Sequence, residues 1–326
     1  MRGFCAGSVM ARMHSAEGTR RWAASPEPAD EAFAVPKIPE ITLKEFNLLR
    51  ALIVKETGIC LADTKRLLVV SRLAKRLRAL RFQTYSEYYQ LLSKQDAGRV
   101  ELRRLINCIT TNKTSFFREP YHFEMLRYEV VPEIEQRAAR VGERKIRIWS
   151  AGCSTGEEPY SIAFTLRQAL GAAWPSWDVR ILASDIDTDV LATAEEAVYP
   201  EESAASVPPE LRQRFFMRGV GQSKGLFRIR PELRALVTFR RINFVDPVWP
   251  IRARFDAVFC RNVIIYFDKQ MQRNLIERFA AHLKPHGYLF AGHSESLSWL
   301  TDLVTPLRNT VYRLKSKDRP GTGNGG

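Results

Sequence analysis

Residues 147–163 read RIWSAGCSTGEEPYSIA, and the way this stretch divides decides the fold. Arg147–Ala151 has the composition of a buried strand, and a helix begins near Glu157. Between them, Gly152-Cys153-Ser154-Thr155-Gly156 must turn sharply, and its glycines allow that turn and the close approach of a ligand. Glu157 and Glu158 stand in the first helical turn, where the macrodipole favours negative charge, and Pro159 is tolerated there. The stretch is not Gly-x-Gly-x-x-Gly, and no Gly-Lys-Ser/Thr follows. Two carboxylates at the helix start repel a pyrophosphate, so a dinucleotide or ATP fits poorly. A ligand with positive charge and no phosphate fits, and S-adenosylmethionine, with its sulfonium and ammonium, is one. Taken alone, the stretch is equally an ordinary strand–helix turn with acidic capping.

On either side, strand and helix alternate. KIRIWSA, VRILASD, LVTFRRINF, FDAVFCRN, GYLFAGH and TVYRLKS read as strands, with helices around EPYSIAFTLRQAL, TDVLATAEEAV and KQMQRNLIERFAAHLK. The alternation predicts a parallel, doubly wound sheet, with an antiparallel edge where the last two strands follow closely. Ligands of such sheets bind beyond the carboxyl ends of the strands. Asp185 ends the second strand, where an acid accepts both hydroxyls of a ribose; Asp187 or Thr188 caps the following helix instead if capping is the role of this segment. Asn243 ends the third, placed for an adenine edge or for a loop cap. Cys260-Arg261-Asn262 ends a central strand over the same place, and Tyr266 lies a few residues on, as a pocket residue or a packed one. His293, Ser294 and Glu295 suggest a hydrolase triad, but the Gly-x-Ser-x-Gly elbow is missing.

Upstream, residues 38–108 read as a small helical domain. A helix over 43–57 stops at Gly58. A second, capped by Asp63 or Thr64, carries an apolar stripe of Leu67, Val70, Leu73, Leu77 and Leu80, and further helices lie around YSEYYQLLSK and GRVELRRLINCIT. Residues 38–110 hold 14 Lys and Arg against 7 Asp and Glu. The basic residues of the second helix lack acidic partners at i±4, which favours docking to an acidic helix or to nucleic acid. The chain as a whole carries +14 over 326 residues, a balance that suits an acidic partner. RNA recognition needs aromatics among the basic residues, and only Phe82 and Tyr85 flank this helix. The five cysteines are scattered without a Cys-x-x-Cys pair, so a reducing cytoplasm is expected and neither disulfides nor a metal site. That weakens Asn112-Lys113-Thr114 as a glycosylation acceptor. Residues 1–37 read as a flexible extension and 317–326 as a disordered tail; no run is long enough to span a bilayer.

NKTSFFREP (112–120), WSAGCSTGEEPYSIA, ASDID, FCRNVIIYFD and LKPHGYLFAGHSES together resemble the chemotaxis receptor methyltransferases, the CheR family, over roughly residues 40–315. The resemblance implies a Rossmann-like class I methyltransferase domain over 125–316, with a small antiparallel β-subdomain near 215–240. An all-helical domain precedes it, and a linker, 109–124, contributes to the active site. It implies methyl transfer from S-adenosylmethionine to glutamate side chains on chemoreceptor cytoplasmic helices, with S-adenosylhomocysteine as product. By position in the motifs, the cofactor residues are Asn112, Thr114, Arg118, Glu158 (or Glu157), Asp185, Asn243, Phe244, Arg261 and Asn262, with Arg118 and Tyr266 nearest the reaction. Gly219, Gly221 and Gly225 resemble the turn with which some members grip a receptor's C-terminal peptide. Lys65, Arg72, Lys75, Arg76 and Arg78 suit a Glu-rich acceptor helix. The expected partners are the receptor cytoplasmic domain and no nucleic acid, without membrane insertion, for a monomeric enzyme.

Overall fold

The structure is a computed structural model, and it describes residues 39–315. The extension expected over 1–37 and the tail over 317–326 lie outside the described residues. Helix α1 (Leu43–Thr57) opens on a reciprocal cap: the Thr42 hydroxyl accepts from the Glu45 N–H at 3.2 Å, and the Glu45 carboxylate accepts from the Thr42 N–H at 2.9 Å. Helices α2 (Arg66–Leu80), α3 (Tyr85–Leu92) and α4 (Asp96–Ile109) follow. Phe46, Leu49, Ile53, Val69, Leu73, Leu77, Tyr85, Tyr88 and Leu105 form the core of this domain.

Two expectations for α2 fail. Neither Asp63 nor Thr64 caps it: Asp63–Lys65 forms a 3₁₀ turn, and the Asp63 carboxylate pairs with Arg50 instead. The buried stripe is Val69, Leu73, Ala74 and Leu77, while Leu67 is 80% exposed. Residues 67 and 69 differ by about 200° around a helix, so one of them must face outward. The basic residues have no acidic partner one turn away, as their spacing indicates, but one of them, Arg76, has a partner on a different helix. Arg76 donates from Nε and Nη2 to the buried Glu101 of α4 at 2.8 and 2.6 Å, and Tyr88 adds a third bond to Glu101 at 3.0 Å.

After the linker, α5 (Tyr121–Met125) passes through a π-helical turn at Leu126–Val130 into α6 (Val131–Val141). Pro132 stands in the first turn of α6, where its missing N–H costs nothing, so the helix is re-registered there rather than broken. Then come β1 (Lys145–Ala151), α7 (Glu157–Leu170), β2 (Asp178–Asp185) and α8 (Thr188–Glu196). Next are β3 (Val198–Pro200), the short helices α9 (Glu201–Ala205) and α10 (Pro209–Phe215), β4 (Phe216–Arg218), β5 (Leu226–Ile229), α11 (Pro231–Arg234) and β6 (Val237–Arg241). The chain ends with β7 (Phe255–Cys260), α12 (Lys269–His282), β8 (Leu283–Ala291), β9 (Val304–Arg308) and β10 (Val311–Leu314).

The large sheet has the order β6-β2-β1-β7-β8-β10-β9. The first five strands are parallel, and β10 runs antiparallel to both β8 and β9. Strand order therefore reverses between β1 and β7, which opens a crevice at their carboxyl ends. All six residues of β7 are buried, as a strand covered on both faces requires. The second sheet, β3-β5-β4, is antiparallel throughout. The β-subdomain thus starts at β3, earlier than 215, and Val237–Arg241 belongs to the large sheet. Three-residue strands such as β3 carry too little alternation to be seen from sequence.

Candidate active site

The crevice is one continuous cleft, and it gathers Asn112, Thr114, Arg118, Glu158, Asp185, Asn243, Phe244, Arg261, Asn262 and Tyr266 along its walls. These residues come from the linker, the β1–α7 turn, and the ends of β2, β6 and β7. Thr57, Ile59, Cys60, Leu61, Lys65 and Leu68 form a further wall from the helical domain. That contribution was not visible in the sequence, because it depends on how the two domains pack.

The glycine turn is shaped by its neighbours as much as by any ligand. A Cβ on Gly152 (φ 91°) would lie 2.3 Å from Val263 Cγ2, and one on Gly156 (φ 96°) would lie 2.9 Å from the Ala194 Cβ. The turn's N–H groups are used internally. Gly152 and Cys153 donate to the Ser184 carbonyl at 2.8 and 2.9 Å, Gly156 to that of Cys153 at 3.1 Å, and Ser154 to Asp185 Oδ2 at 2.8 Å. These donors are committed, so the turn is not an anion nest for phosphate. The cleft instead offers two buried-side carboxylates, Asp185 and Glu158, and apolar walls from Ile242, Phe244 and Val263. This set fits a phosphate-free nucleoside carrying positive charge, and S-adenosylmethionine is such a ligand.

Arg261 is the hub of the site, with its side chain 2% exposed. It pairs with Glu158 at 3.0 Å and Glu119 at 3.1 Å, and it also donates to the Arg118 carbonyl. Glu158 additionally accepts from the Ser150 hydroxyl at 2.7 Å. Burial raises the Glu158 carboxyl, and the charge of Arg261 offsets only part of that effect. Glu157 bonds Thr155 at 2.6 Å and does not line the cleft, so Glu158 is the acid of the pair that faces it. Burial likewise raises Asp185, against the N–H groups of Asp187 and Ser154 that it accepts.

Two of the expected cofactor side chains also make internal bonds. The Asn243 amide donates to the Glu56 carbonyl at 2.6 Å, tying the end of α1 to the catalytic domain. The Asn112 side-chain amide donates to Asp187 at 2.7 Å, and the Asn112 backbone carbonyl accepts from the Ser154 hydroxyl at 2.9 Å. Asp187 also caps α8 through the N–H groups of Asp189 and Val190. Phe244 lines the cleft from an aromatic cluster with Trp249, Phe267 and Phe279. The Arg118 guanidinium donates to the Lys113 carbonyl at 2.9 Å.

The linker's aromatics anchor it. Phe116 is buried against Phe164, Tyr199 and Phe216, and Phe117 packs on Phe123 and Phe164 while its N–H donates to Ser161 at 2.9 Å. Phe117 and Glu119 both hold positive φ, at 53° and 56°, a conformation that ordinary residues keep only where surrounding contacts impose it. Sequence reasoning missed Glu119. The signal was present: it directly follows Arg118 in a segment already assigned to the site.

The Ser–His–acid arrangement around residue 293 does not form. Glu295 accepts three backbone N–H groups, from Asn262 at 2.7 Å, Ile265 at 3.1 Å and Gly292 at 2.6 Å. It holds the left-handed Asn262 (φ 58°) at the end of β7. Arg72 also has internal work, donating to the Thr110 carbonyl at 2.8 Å and to the Thr111 hydroxyl at 3.1 Å. Of the expected docking residues, Lys65, Lys75 and Arg78 remain exposed, and Lys65 also lines the cleft. Gly219, Gly221 and Gly225 shape the turn between β4 and β5.

The anchoring cluster makes stability acid-sensitive. His122 is fully buried, with Nε2 at 3.1 Å from the Asn309 carbonyl; burial, then the charge of Arg261, pushes its pKa down from 6.5 to about 4. Burial alone would raise Glu119, but Arg261 and His293 outweigh it and hold it down from 4.5 to about 2. A depressed pKa gives stability that is present above the unfolded value and lost as pH falls through the folded one. Stability should therefore fall from pH 6.5 towards 4, by about 2–3 kcal/mol, as the unfolded chain's His122 takes up a proton that the folded one does not, and further towards pH 2 as the same holds for Glu119. Urea unfolding of wild type and His122→Gln at pH 7 and pH 4.5 checks this. A variant with the wild-type slope contradicts the assignment.

A doubly wound sheet with an acid-lined cleft at its switch point, and no phosphate nest, defines an S-adenosylmethionine-dependent methyltransferase. Comparison with known proteins agrees and narrows the class. Residues 112–313 match the CheR methyltransferase SAM-binding domain, and residues 44–110 match the CheR methyltransferase all-alpha domain. The chain belongs to the CheR methyltransferase family. It is 46% identical to chemotaxis protein methyltransferase 2 of Pseudomonas aeruginosa, over 83% of this chain and 93% of that protein. It is 45% identical to the chemotaxis protein methyltransferase of Escherichia coli, over 84% of this chain and 91% of that protein. The corresponding protein of Borreliella burgdorferi is 38% identical, over 79% of this chain and 89% of its own length.

Proposed function

We infer that this chain methylates the γ-carboxylate of glutamates on the cytoplasmic helices of chemoreceptors, forming methyl esters that support chemotactic adaptation. The observation that carries the reading is the single cleft uniting the linker, the carboxyl ends of β1, β2, β6 and β7, and the helical domain. When bound, S-adenosylmethionine supplies an electrophilic methyl group on sulfur. Passing that methyl to a carboxylate oxygen would leave the sulfur as a neutral thioether, with the S–CH₃ electron pair retained on it.

A glutamate with a pKa near ~4.3 is already ionised at neutral pH, so no strong general base is needed. The protein's task is to align the carboxylate and strip part of its water, and alignment of this kind is worth up to ~7–11 kcal/mol in favourable systems. In this reading Asp185 holds the ribose, Asn243 and Phe244 bound the adenine, and Glu158 and Arg261 fix the floor. Asn112, Thr114 and Asn262 complete the wall. Arg118 orients a carboxylate through paired N–H donors, and the Tyr266 hydroxyl hydrogen-bonds the acceptor.

Exposed Lys65, Lys75 and Arg78 steer the Glu-rich acceptor helix, with Arg72 and Arg76 holding α2 in place for them. A receptor's C-terminal peptide adds as a strand to the free edge of β4, beside the Gly219–Gly225 turn. The enzyme acts as a monomer in the cytoplasm.

One assay tests the reading: incubation with methyl-labelled cofactor and a receptor cytoplasmic fragment or RNA. Base-labile label on the fragment alone, at a rate that falls with added salt, is the expected result. Label on RNA, or base-stable label, defeats it. In the same assay Arg118→Lys and Tyr266→Phe should each lower kcat at least tenfold; unchanged turnover removes that residue from the site.

A further inference from the structure

Asp185 closes a ring of hydrogen bonds with three other residues. Ser154 N donates to Asp185 Oδ2 at 2.8 Å, and the Ser154 hydroxyl donates to the Asn112 backbone carbonyl at 2.9 Å. The Asn112 side-chain amide donates to Asp187 Oδ2 at 2.7 Å, and Asp187 N returns to Asp185 Oδ1 at 3.0 Å. Asn112, Ser154 and Asp185 line the cleft, and Asp187 stands behind them, 1% exposed. The ring joins the linker, the β1–α7 turn and the end of β2.

Asp187 has more than the capping role its position suggests. Its Oδ1 alone takes both N–H groups at the start of α8, from Asp189 at 2.9 Å and Val190 at 3.3 Å. A serine or asparagine supplies one such oxygen as well as an aspartate does, and buries no charge. The second oxygen is directed at the linker. It accepts from the Thr110 hydroxyl at 2.8 Å and the Asn112 amide at 2.7 Å, and Thr110 also lines the cleft. An acceptor at that point decides which end of the Asn112 amide faces it: the NH₂ does, and the amide oxygen is turned away. Beside it, Asn107 of α4 exchanges hydrogen bonds with the Thr188 hydroxyl and N–H, at 3.0 and 3.4 Å.

We propose that Asp187 is a positioning residue for cofactor binding: one carboxylate oxygen caps α8, and the other sets the Asn112 amide in register with Asp185. The inference rests on the reading of Asn112 and Asp185 as cofactor residues. Its test is calorimetry with S-adenosylhomocysteine on the full chain. Asp187→Asn and Asp187→Ser both keep a capping oxygen, so both should unfold at the wild-type urea concentration. Asparagine, its oxygen kept on the cap, turns an NH₂ towards that of Asn112; serine leaves the Asn112 amide without its acceptor. Each should raise Kd about tenfold, the size of one hydrogen bond to a charged group. In an Asn112→Ala background, itself weakened, the same substitutions should change Kd less than about twofold, because the side chain through which Asp187 acts is gone.

An equal loss in both backgrounds overturns the inference, since a missing charge or a loosened α8 produces that. So does an unchanged Kd in the wild-type background, or a lowered urea midpoint in both variants, which makes the residue structural. Where only one variant keeps its midpoint, that variant decides. If Asn112→Ala alone binds as tightly as wild type, the cofactor reading of Asn112 falls too. If it binds weakly while the Asp187 variants keep the wild-type Kd, the Asp187 assignment alone falls.

Discussion

Arg261→Met is expected to destabilise the protein by about 3–5 kcal/mol and to remove measurable methyl transfer, the largest effect anticipated for any single substitution here. Its guanidinium is buried between Glu158 and Glu119 and also donates to the Arg118 carbonyl. Methionine fills much of the volume but leaves two carboxylates facing each other without a cation, and burial already disfavours the charge on Glu158. The linker carbonyl loses its donor, so Arg118 is no longer held at the cleft. Urea unfolding and turnover measure the two consequences separately. Adding Glu158→Gln to Arg261→Met should restore part of the stability, because it removes an uncompensated charge, without restoring turnover. A single variant destabilised by less than about 1 kcal/mol would show that the ion pairs are not the clamp described.

Asp185→Asn should weaken cofactor binding by about 10–100-fold, as read by calorimetry with S-adenosylhomocysteine, while changing stability less than Arg261→Met does. Both carboxylate oxygens are committed to backbone donors, Ser154 N at 2.8 Å and Asp187 N at 3.0 Å. An asparagine keeps one acceptor, and its NH₂ then faces the other N–H donor. The amide also lacks the second acceptor that a pair of ribose hydroxyls requires. Equal affinities of wild type and variant would place the ribose elsewhere.

The sheet was legible because its strands are long and its helices amphipathic, and because the β1–α7 turn carries charge of the wrong sign for phosphate. The polar residues at the strand ends were legible as a group, since open α/β sheets place them together. What each side chain bonds was not. Asn243 reads as an adenine contact, yet its amide holds the carbonyl of Glu56, 187 residues away in sequence. Asn112 reads as a cofactor residue from its motif, and its amide bonds Asp187, 75 residues on. Arg76 reads as a free cation because its partner, Glu101, lies on a neighbouring helix rather than one turn away. Leu67 entered the buried stripe by counting hydrophobic letters, although its angle around α2 points it to solvent. For Asn243, Asn112 and Arg76 the deciding partner is distant in sequence, and local spacing carries no information about it.

The wall built from Thr57, Ile59, Cys60, Leu61, Lys65 and Leu68 has a consequence for how this enzyme can be divided. The helical domain forms one wall of the container. The Asn243–Glu56 bond and the Cys60 N–H to the Tyr266 carbonyl, at 2.6 and 2.8 Å, stitch it to the strand ends. A catalytic domain expressed without it would keep its sheet and its acids but expose them on an open shelf. The cleft therefore closes only where the two modules are present together.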